Sequence, residues 1–343
     1  MITKNYNFIT KLIHYLILNN KISNQILFYL EKVFFLKKDY THNFKRPVLV
    51  TGLARSGTTI LLNALYESGE FASNTYNDMP FIICPNIWGF LNKFNNKSKD
   101  SYERAHKDGI KIGINSPEAF EEIFWNSFVE QNYVKERYLD KHQINTNIDK
   151  NYNIFQFLVC LRYGKKRYLS KNNNNILRLQ SLQKSITKPF ILIPYRDPIS
   201  HAISLMNQHK NFSNSDQFVK KYFSWLNHYE FGDNHKPFNF DLNSDNEFSK
   251  DTLNYWLKIW IDYHDYLLNI YKKNNKNIFL INYEKLCKNE NYWINICKKI
   301  NIIKINKFDF KYKENNLNNE LSKKLLKKSE CLKKNLDRIS FLH

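Results

Sequence analysis

The chain has 343 residues, of which 43% are hydrophobic and 16% aromatic, so it is not too small to bury a core of its own; one large elaborated domain is the expectation. Its 52 Lys+Arg against 32 Asp+Glu leave a formal net charge of +20, which suits anionic ligands: nucleotides, sulfated or phosphorylated glycans, nucleic acid or a membrane surface. Only 8 Gly and 8 Pro stand beside abundant Lys, Asn, Ile and Tyr, the pattern that AT-rich coding produces, and this bias accounts for the larger share of the charge.

The five cysteines, Cys84, Cys160, Cys287, Cys297 and Cys331, are odd in number and scattered without a C-x-x-C pair. They match neither a disulfide framework nor a zinc site; no metal is expected, and they read as reduced, mostly buried residues of a cytoplasmic protein.

Residues 1–44 read as a helical segment. The apolar stretches Leu12 to Leu18 and Ile26 to Phe35 are separated by Asn19, Asn20 and Lys21 and interrupted at Asn24, so neither reaches the ~18 residues of a spanning helix. No small-residue cleavage site follows, so no signal peptide is expected. An amphipathic pair of helices, docked on the body or on a membrane surface, is the reading.

A β-branched run, Pro47-Val48-Leu49-Val50, then enters Thr51-Gly52-Leu53-Ala54-Arg55-Ser56-Gly57-Thr58-Thr59 and continues as a helix to Tyr66, closed by Ser68-Gly69. Strand, glycine loop and helix N-terminus together cradle an anion with backbone N–H groups. Gly52 and Gly57 keep the spacing of a nucleotide-triphosphatase loop, but Thr58 stands where that loop has lysine, and the basic residue, Arg55, lies inside it. Phe71 to Tyr76 reads as a second short strand delivering Asp78 to the sheet's carboxyl edge, where ligands bind in parallel sheets.

His106 lies in a segment of unassigned structure. Ser116-Pro117-Glu118 reads as the start of a helix whose early acids complement its dipole. Residues 133–150 read as a surface insertion and 151–164 as a helix ending at Gly164. Lys166 to Ser170 is a third strand running into Lys171-Asn172-Asn173-Asn174-Asn175, and Phe190 to Tyr195 has the continuous apolar pattern of a strand buried on both faces. The latter delivers Arg196-Asp197-Pro198 to a helix start. Residues 211–250 read as a loop or lid, Leu253 to Tyr271 as an aromatic helix, Asn277 to Tyr283 as a last strand, and 304–343 as a lysine-rich tail, helical at best.

Arg55, Lys171 and Arg196 thus all close predicted strands. With these residues the chain resembles the sulfotransferases that use 3′-phosphoadenosine-5′-phosphosulfate (PAPS), in the bacterial branch of that family. The 5′-phosphosulfate loop of that family, a basic residue followed by Ser-Gly-Thr-Thr, stands here as Arg55-Ser56-Gly57-Thr58-Thr59. Its 3′-phosphate motif, a strand-end arginine with a serine eight residues later, stands as Arg196 and Ser204. Lys171 matches the lysine that contacts the phosphosulfate bridge, and Tyr283-Glu284-Lys285-Leu286 matches the element whose tyrosine lies against the adenine. The match runs in order over residues 47–286.

The resemblance implies an α/β fold: a parallel β-sheet with flanking helices, the P-loop-like sulfotransferase three-layer sandwich, over residues 45–303. It also implies a PAPS donor and an acceptor hydroxyl on a glycan, another small polar molecule or protein tyrosine, with no metal and no nucleic-acid partner. One departure concerns the base. Small-molecule sulfotransferases carry a histidine two residues after the strand-end lysine, where this chain has Asn173, and an amide cannot take a proton at neutral pH. In the branch that modifies protein tyrosine or glycans the base is a carboxylate after the first helix, and Asp78 matches that region; His106 is its rival, with a reference pKa near ~6.5. The competing classes are a P-loop nucleotide or sugar kinase, which lacks here its loop lysine and a Walker-B aspartate, and a non-catalytic polyanion- or membrane-binding protein.

Overall fold

A computed structural model describes residues 8–36, 44–92, 102–103, 111–240, 247–311 and 321–341. Strands β1 (Lys45–Val50), β5 (Arg167–Lys171), β6 (Phe190–Tyr195) and β8 (Ile278–Asn282) form a parallel sheet in the order β5-β1-β6-β8. The intervening β2 (Tyr102–Glu103), β3 (Lys111–Ile112), β4 (Leu139–Asp140) and β7 (Phe238–Asn239) make two small pairs, β2 with β3 and β4 with β7. In the central sheet Val50 stands opposite both Lys171 and Leu192, and Tyr195 opposite Asn282, so the carboxyl ends of all four strands come out side by side.

Strand periodicity divides the core. Val48 and Val50, with Leu169, Leu192 and Ile281, pack against Leu61, Leu62 and Leu65 of α3 (Thr58–Tyr66) and Trp293 and Ile296 of α12 (Glu290–Lys299). The alternate residues Leu49, Ile191 and Ile193 face the other way, into a cluster with α6 (Thr146–Tyr163), α8 (Pro198–Ser213) and α10 (Leu253–Lys273). Helices on both faces explain why β6 is apolar at every position and why the arrangement is a three-layer sandwich.

Several expectations change. Of the predicted strand at 71–76, only Ala72 pairs with the central sheet, bridging to Tyr168 of β5; Thr75 then caps a 3-10 turn, Tyr76–Asp78, which takes the chain out of the sheet. No helix starts at Ser116, whose hydroxyl accepts from the Gly113 N–H behind it, while Pro117 bridges to Thr75; α5 begins later (Glu122–Phe128). Residues 133–142 are not a surface insertion: Tyr133, Leu139 and His142 are buried and β4 pairs with β7. The predicted lid at 211–250 holds the end of α8, helix α9 (Gln217–Trp225) and the buried Val219, Tyr222, Leu226 and Phe231.

The described part of the lysine-rich tail, 304–311 and 321–341, is equally built in. In α13 (Lys323–Ile339) the lysines face out while Leu325, Leu332 and Leu336 join the main core. Asp337 accepts from Tyr195 Oη (2.8 Å) and Asn282 Nδ2 (2.9 Å), and the Phe341 N–H donates to Leu280 O (2.8 Å). The tail thereby covers the open side of β8.

Candidate active site

The loop after β1 is shaped to hold an anion. Arg55 has φ 68° and Gly57 φ 100°, so the chain turns through left-handed backbone twice before α3 begins. A β-carbon on Gly57 would lie 2.4 Å from Cε2 of Tyr283, and one on Gly52 would lie 2.6 Å from Ser56 Oγ: only glycine fits either place. The N-terminus of α3 has no side-chain cap, and Ser56 Oγ is buried without a hydrogen-bond partner among the described residues. Uncapped N–H groups at the positive end of a helix dipole, with a buried hydroxyl beside them, form an anion seat. Thr58 and Thr59 open the helix, and Thr58 Oγ1 lies 3.5 Å from Asn173 Oδ1.

The neighbouring strand ends bring charge to this seat. Arg196 follows β6 and donates through Nη1 to the Arg55 carbonyl (3.1 Å); Asp197 caps α8 with Pro198 at its start. Two turns along α8, Ser204 Oγ lies 3.4 Å from Arg55 Nε, so the eight-residue spacing returns the serine to the arginine loop. His201 of the same helix is buried, contacts the Ala54 carbonyl through Nε2 (2.7 Å), and is held neutral by burial and then by Arg196. It braces the loop as an uncharged donor. Tyr283, the first residue of α11 (Tyr283–Lys288), lies against Gly57, has the Arg196 guanidinium 5.6 Å from its ring, and donates to Lys311 O (3.1 Å).

Lys171 ends β5 and is 7% exposed, with Glu118 Oε1 3.6 Å from its Nζ. Glu118 is thus the carboxylate beside the strand-end lysine, and sequence reasoning passed over it as a helix-start acid. Its only local signal was Pro117, which here begins no helix. Asp78, by contrast, is 0% exposed: Oδ2 accepts from the Thr75 N–H (2.8 Å) in a capping box and from Tyr163 Oη (2.6 Å), while Oδ1 is buried without a hydrogen-bond partner among the described residues. Burial, against these hydrogen bonds, raises its pKa. Asp78 thus closes a turn, and Glu118 stands beside Lys171. His106 lies outside the described residues.

The asparagines after Lys171 are not low-complexity drift. Asn172 continues the ladder to Val50 O (2.9 Å) and donates to Glu122 Oε2 (2.6 Å); Asn173 donates to Glu230 Oε1 (3.0 Å), Asn174 to Asn227 O (3.1 Å) and Asn175 to Glu121 Oε1 (3.2 Å). Glu121 also accepts from Trp125, Tyr152 and Tyr168, and Glu122 from Tyr133 and Arg178. This buried hub fixes where β5 ends and hence where Lys171 points.

No protein-family model matches the chain, and no curated protein does. Among solved structures the chain is similar to sulfotransferase STF1 from Mycobacterium tuberculosis H37Rv, with a TM-score of 0.50 at 12% identity over 94% of this chain and 81% of that one. Sulfotransferase STF9 from Mycobacterium avium follows at TM-score 0.46 and 12% identity, over 82% and 70% of the two chains. The chain has the sulfotransferase fold.

Proposed function

We propose that the chain is a sulfotransferase that moves a sulfuryl group from PAPS to a hydroxyl of a glycan or another polar acceptor. The observation that carries this reading is the gathering at one sheet edge of an uncapped helix N-terminus, Arg55, Lys171 and the Arg196–Ser204 pair, with Gly57 leaving room only for backbone. The buried Ser56 hydroxyl and the N-terminus of α3, which has no side-chain cap, suit the 5′-phosphosulfate, with Thr58 and Thr59 beside them; Arg196 and Ser204 suit the 3′-phosphate, the group that separates this donor from ATP. Tyr283 borders the same space.

In this reading the acceptor oxygen bonds to sulfur as the bond from sulfur to the bridging oxygen breaks, and the acceptor proton passes to Glu118. Arg55, Lys171 and the loop N–H groups balance charge on the bridging and sulfuryl oxygens. Glu118 takes the base role before Asp78 because it shares a site with Lys171, whereas Asp78 is fully buried with its Oδ2 held by its own turn and Tyr163.

Thermal shift with 3′-phosphoadenosine-5′-phosphate, ADP, GTP and ATP with magnesium tests the donor. The bisphosphate should stabilise the protein most, and Arg196→Ala should weaken it by about thirtyfold, or ~2 kcal/mol, while affecting ADP little. Stabilisation by ATP with magnesium and none by the bisphosphate would replace this reading with that of a kinase.

A further inference from the structure

Helices α1 (Phe8–Leu18) and α2 (Lys21–Phe35) are amphipathic the wrong way round for surface helices of a globular body. In α2 the inward positions include Asn24, Phe28 and Glu31, whereas Ile22, Ile26, Tyr29, Leu30, Val33 and Phe34 recur at helical spacing on the outward face, with Phe34 70% and Ile22 68% exposed. Helix α1 repeats this with Phe8, Leu12 and Leu16 outward and His14 inward.

The inward contacts combine Leu18 and Phe28, which join the main core, with specific polar bonds. Glu31, 0% exposed, accepts from the Asn86 and Ile87 N–H groups at the start of α4 (Pro85–Leu91), and Gln25 donates to Ser127 O (2.7 Å). Rolling α2 over to hide its apolar stripe would break these bonds and expel Glu31 from its seat. Twelve large hydrophobic side chains on the two helices are left exposed. That many on two adjoining helices mark an interaction surface.

We propose that the outward faces of α1 and α2 bind an anionic lipid bilayer peripherally. The charge pattern selects this occupant. Glu31 is the only carboxylate in the two helices and is turned inward, while Lys11, Lys21 and Lys32 remain to meet anionic headgroups. The Lys11 ammonium lies 4.9 Å from the centre of the Phe218 ring and that of Lys32 5.5 Å from the ring of the inward Phe28, while Lys21 at the start of α2 is exposed. Beside α1, an open hollow of about 450 Å³ is lined by Leu12, Tyr15, Phe218 and Trp225, with Lys11 and Lys221 also in its wall. Aromatic rings among lysines suit the headgroup layer. A second copy docked face to face would bring lysines together with no carboxylate on the face to pair them. No helix among the described residues is long and apolar enough to cross a membrane, so the contact is interfacial.

Co-sedimentation of the full chain with phosphatidylcholine vesicles, with and without phosphatidylglycerol, tests this, with sedimentation velocity run alongside. Binding to the phosphatidylglycerol vesicles should exceed binding to phosphatidylcholine alone by at least about tenfold, and Lys11→Gln/Lys32→Gln should lower it by about fivefold per lysine. Ile26→Gln/Val33→Gln/Phe34→Gln, all at exposed positions, should abolish binding while the bisphosphate thermal shift stays as in the parent protein, which keeps this outcome separate from that of the donor site. No vesicle binding overturns the proposal, whether the protein is monomeric or forms a dimer that the triple variant dissociates. Vesicle binding retained by the triple variant overturns it as well.

Discussion

At the scale of single residues the site turns on two carboxylates with different surroundings. Asp78 spends both lone pairs of Oδ2 on its own turn and on Tyr163, and burial raises its pKa; Glu118 stands 3.6 Å from Lys171. A base needs reach to the substrate proton before it needs a particular pKa. Glu118→Gln is expected to lower turnover by at least about a hundredfold with the bisphosphate thermal shift retained, since the amide keeps the side chain's shape but cannot accept the proton, and the charge it removes faces Lys171 and not the 3′-phosphate pair. Asp78→Asn should instead lose about 1–2 kcal/mol of stability through the damaged capping box and keep most of its turnover at temperatures where it is folded. Turnover assays paired with melting curves distinguish these roles. An inactive Asp78→Asn with an unchanged melting temperature, beside an active Glu118→Gln, would return the base to Asp78.

Elements owe their placement partly to the chain's own signals and partly to contacts that no short window carries. β6 and the runs Val48 to Val50 of β1 and Ile278 to Ile281 of β8 were legible because strand residues covered on both faces are apolar, α8 because Asp197 and Pro198 mark its start, and the end of α6 because Gly164 takes the left-handed turn (φ 61°) that favours glycine. Segment 133–142 was not legible, because Tyr133 and His142, which pack on each other, are enclosed by partners distant in sequence, among them the Arg178–Glu122 pair. Nor could the asparagines declare themselves, since each partner lies across the fold.

The hub they join makes a prediction at this scale. Arg178 reaches both Glu122 oxygens (2.7 and 2.8 Å) with neither side chain exposed above 1%, and its guanidinium lies 4.7 Å from the Trp125 ring centre. Arg178→Met should therefore cost about 3–5 kcal/mol by stranding a buried carboxylate, and Glu122→Gln/Arg178→Met should recover much of that loss. Urea unfolding midpoints measure both variants. A double variant as unstable as the single one would mean that packing, not charge pairing, holds the end of β5.

For the molecule as a whole, net charge governs what approaches the surface, whereas acid stability is set by histidines in the interior. His142 and His235 have their pKa values lowered to about 3 and His264 to about 4, in each case chiefly by burial. The unfolded chain takes up a proton at such a histidine below pH ~6.5, whereas the folded chain refuses it until the lowered value is reached. Each histidine therefore contributes stability that is complete above pH ~6.5 and declines as pH falls toward its folded pKa, by at most ~1.4 kcal/mol per pH unit. Buried carboxylates with raised pKa values, Glu31, Asp78 and Asp262, act in the opposite sense: the folded chain takes up their protons first, and stability is gained on acidification. The net acid limb is a difference of these slopes, so a single substitution is needed to read one of them. His264 suits this, because its ring stacks 4.0 Å from that of Trp260 and its Nδ1 contacts the Trp260 carbonyl of its own helix, contacts whose apolar part phenylalanine keeps. His264→Phe should flatten the dependence of unfolding free energy on pH between ~6.5 and ~4 by close to one proton, shifting the acid midpoint downward. Parallel curves for the two proteins across that window would show that His264 is protonated in the folded state as readily as in the unfolded chain.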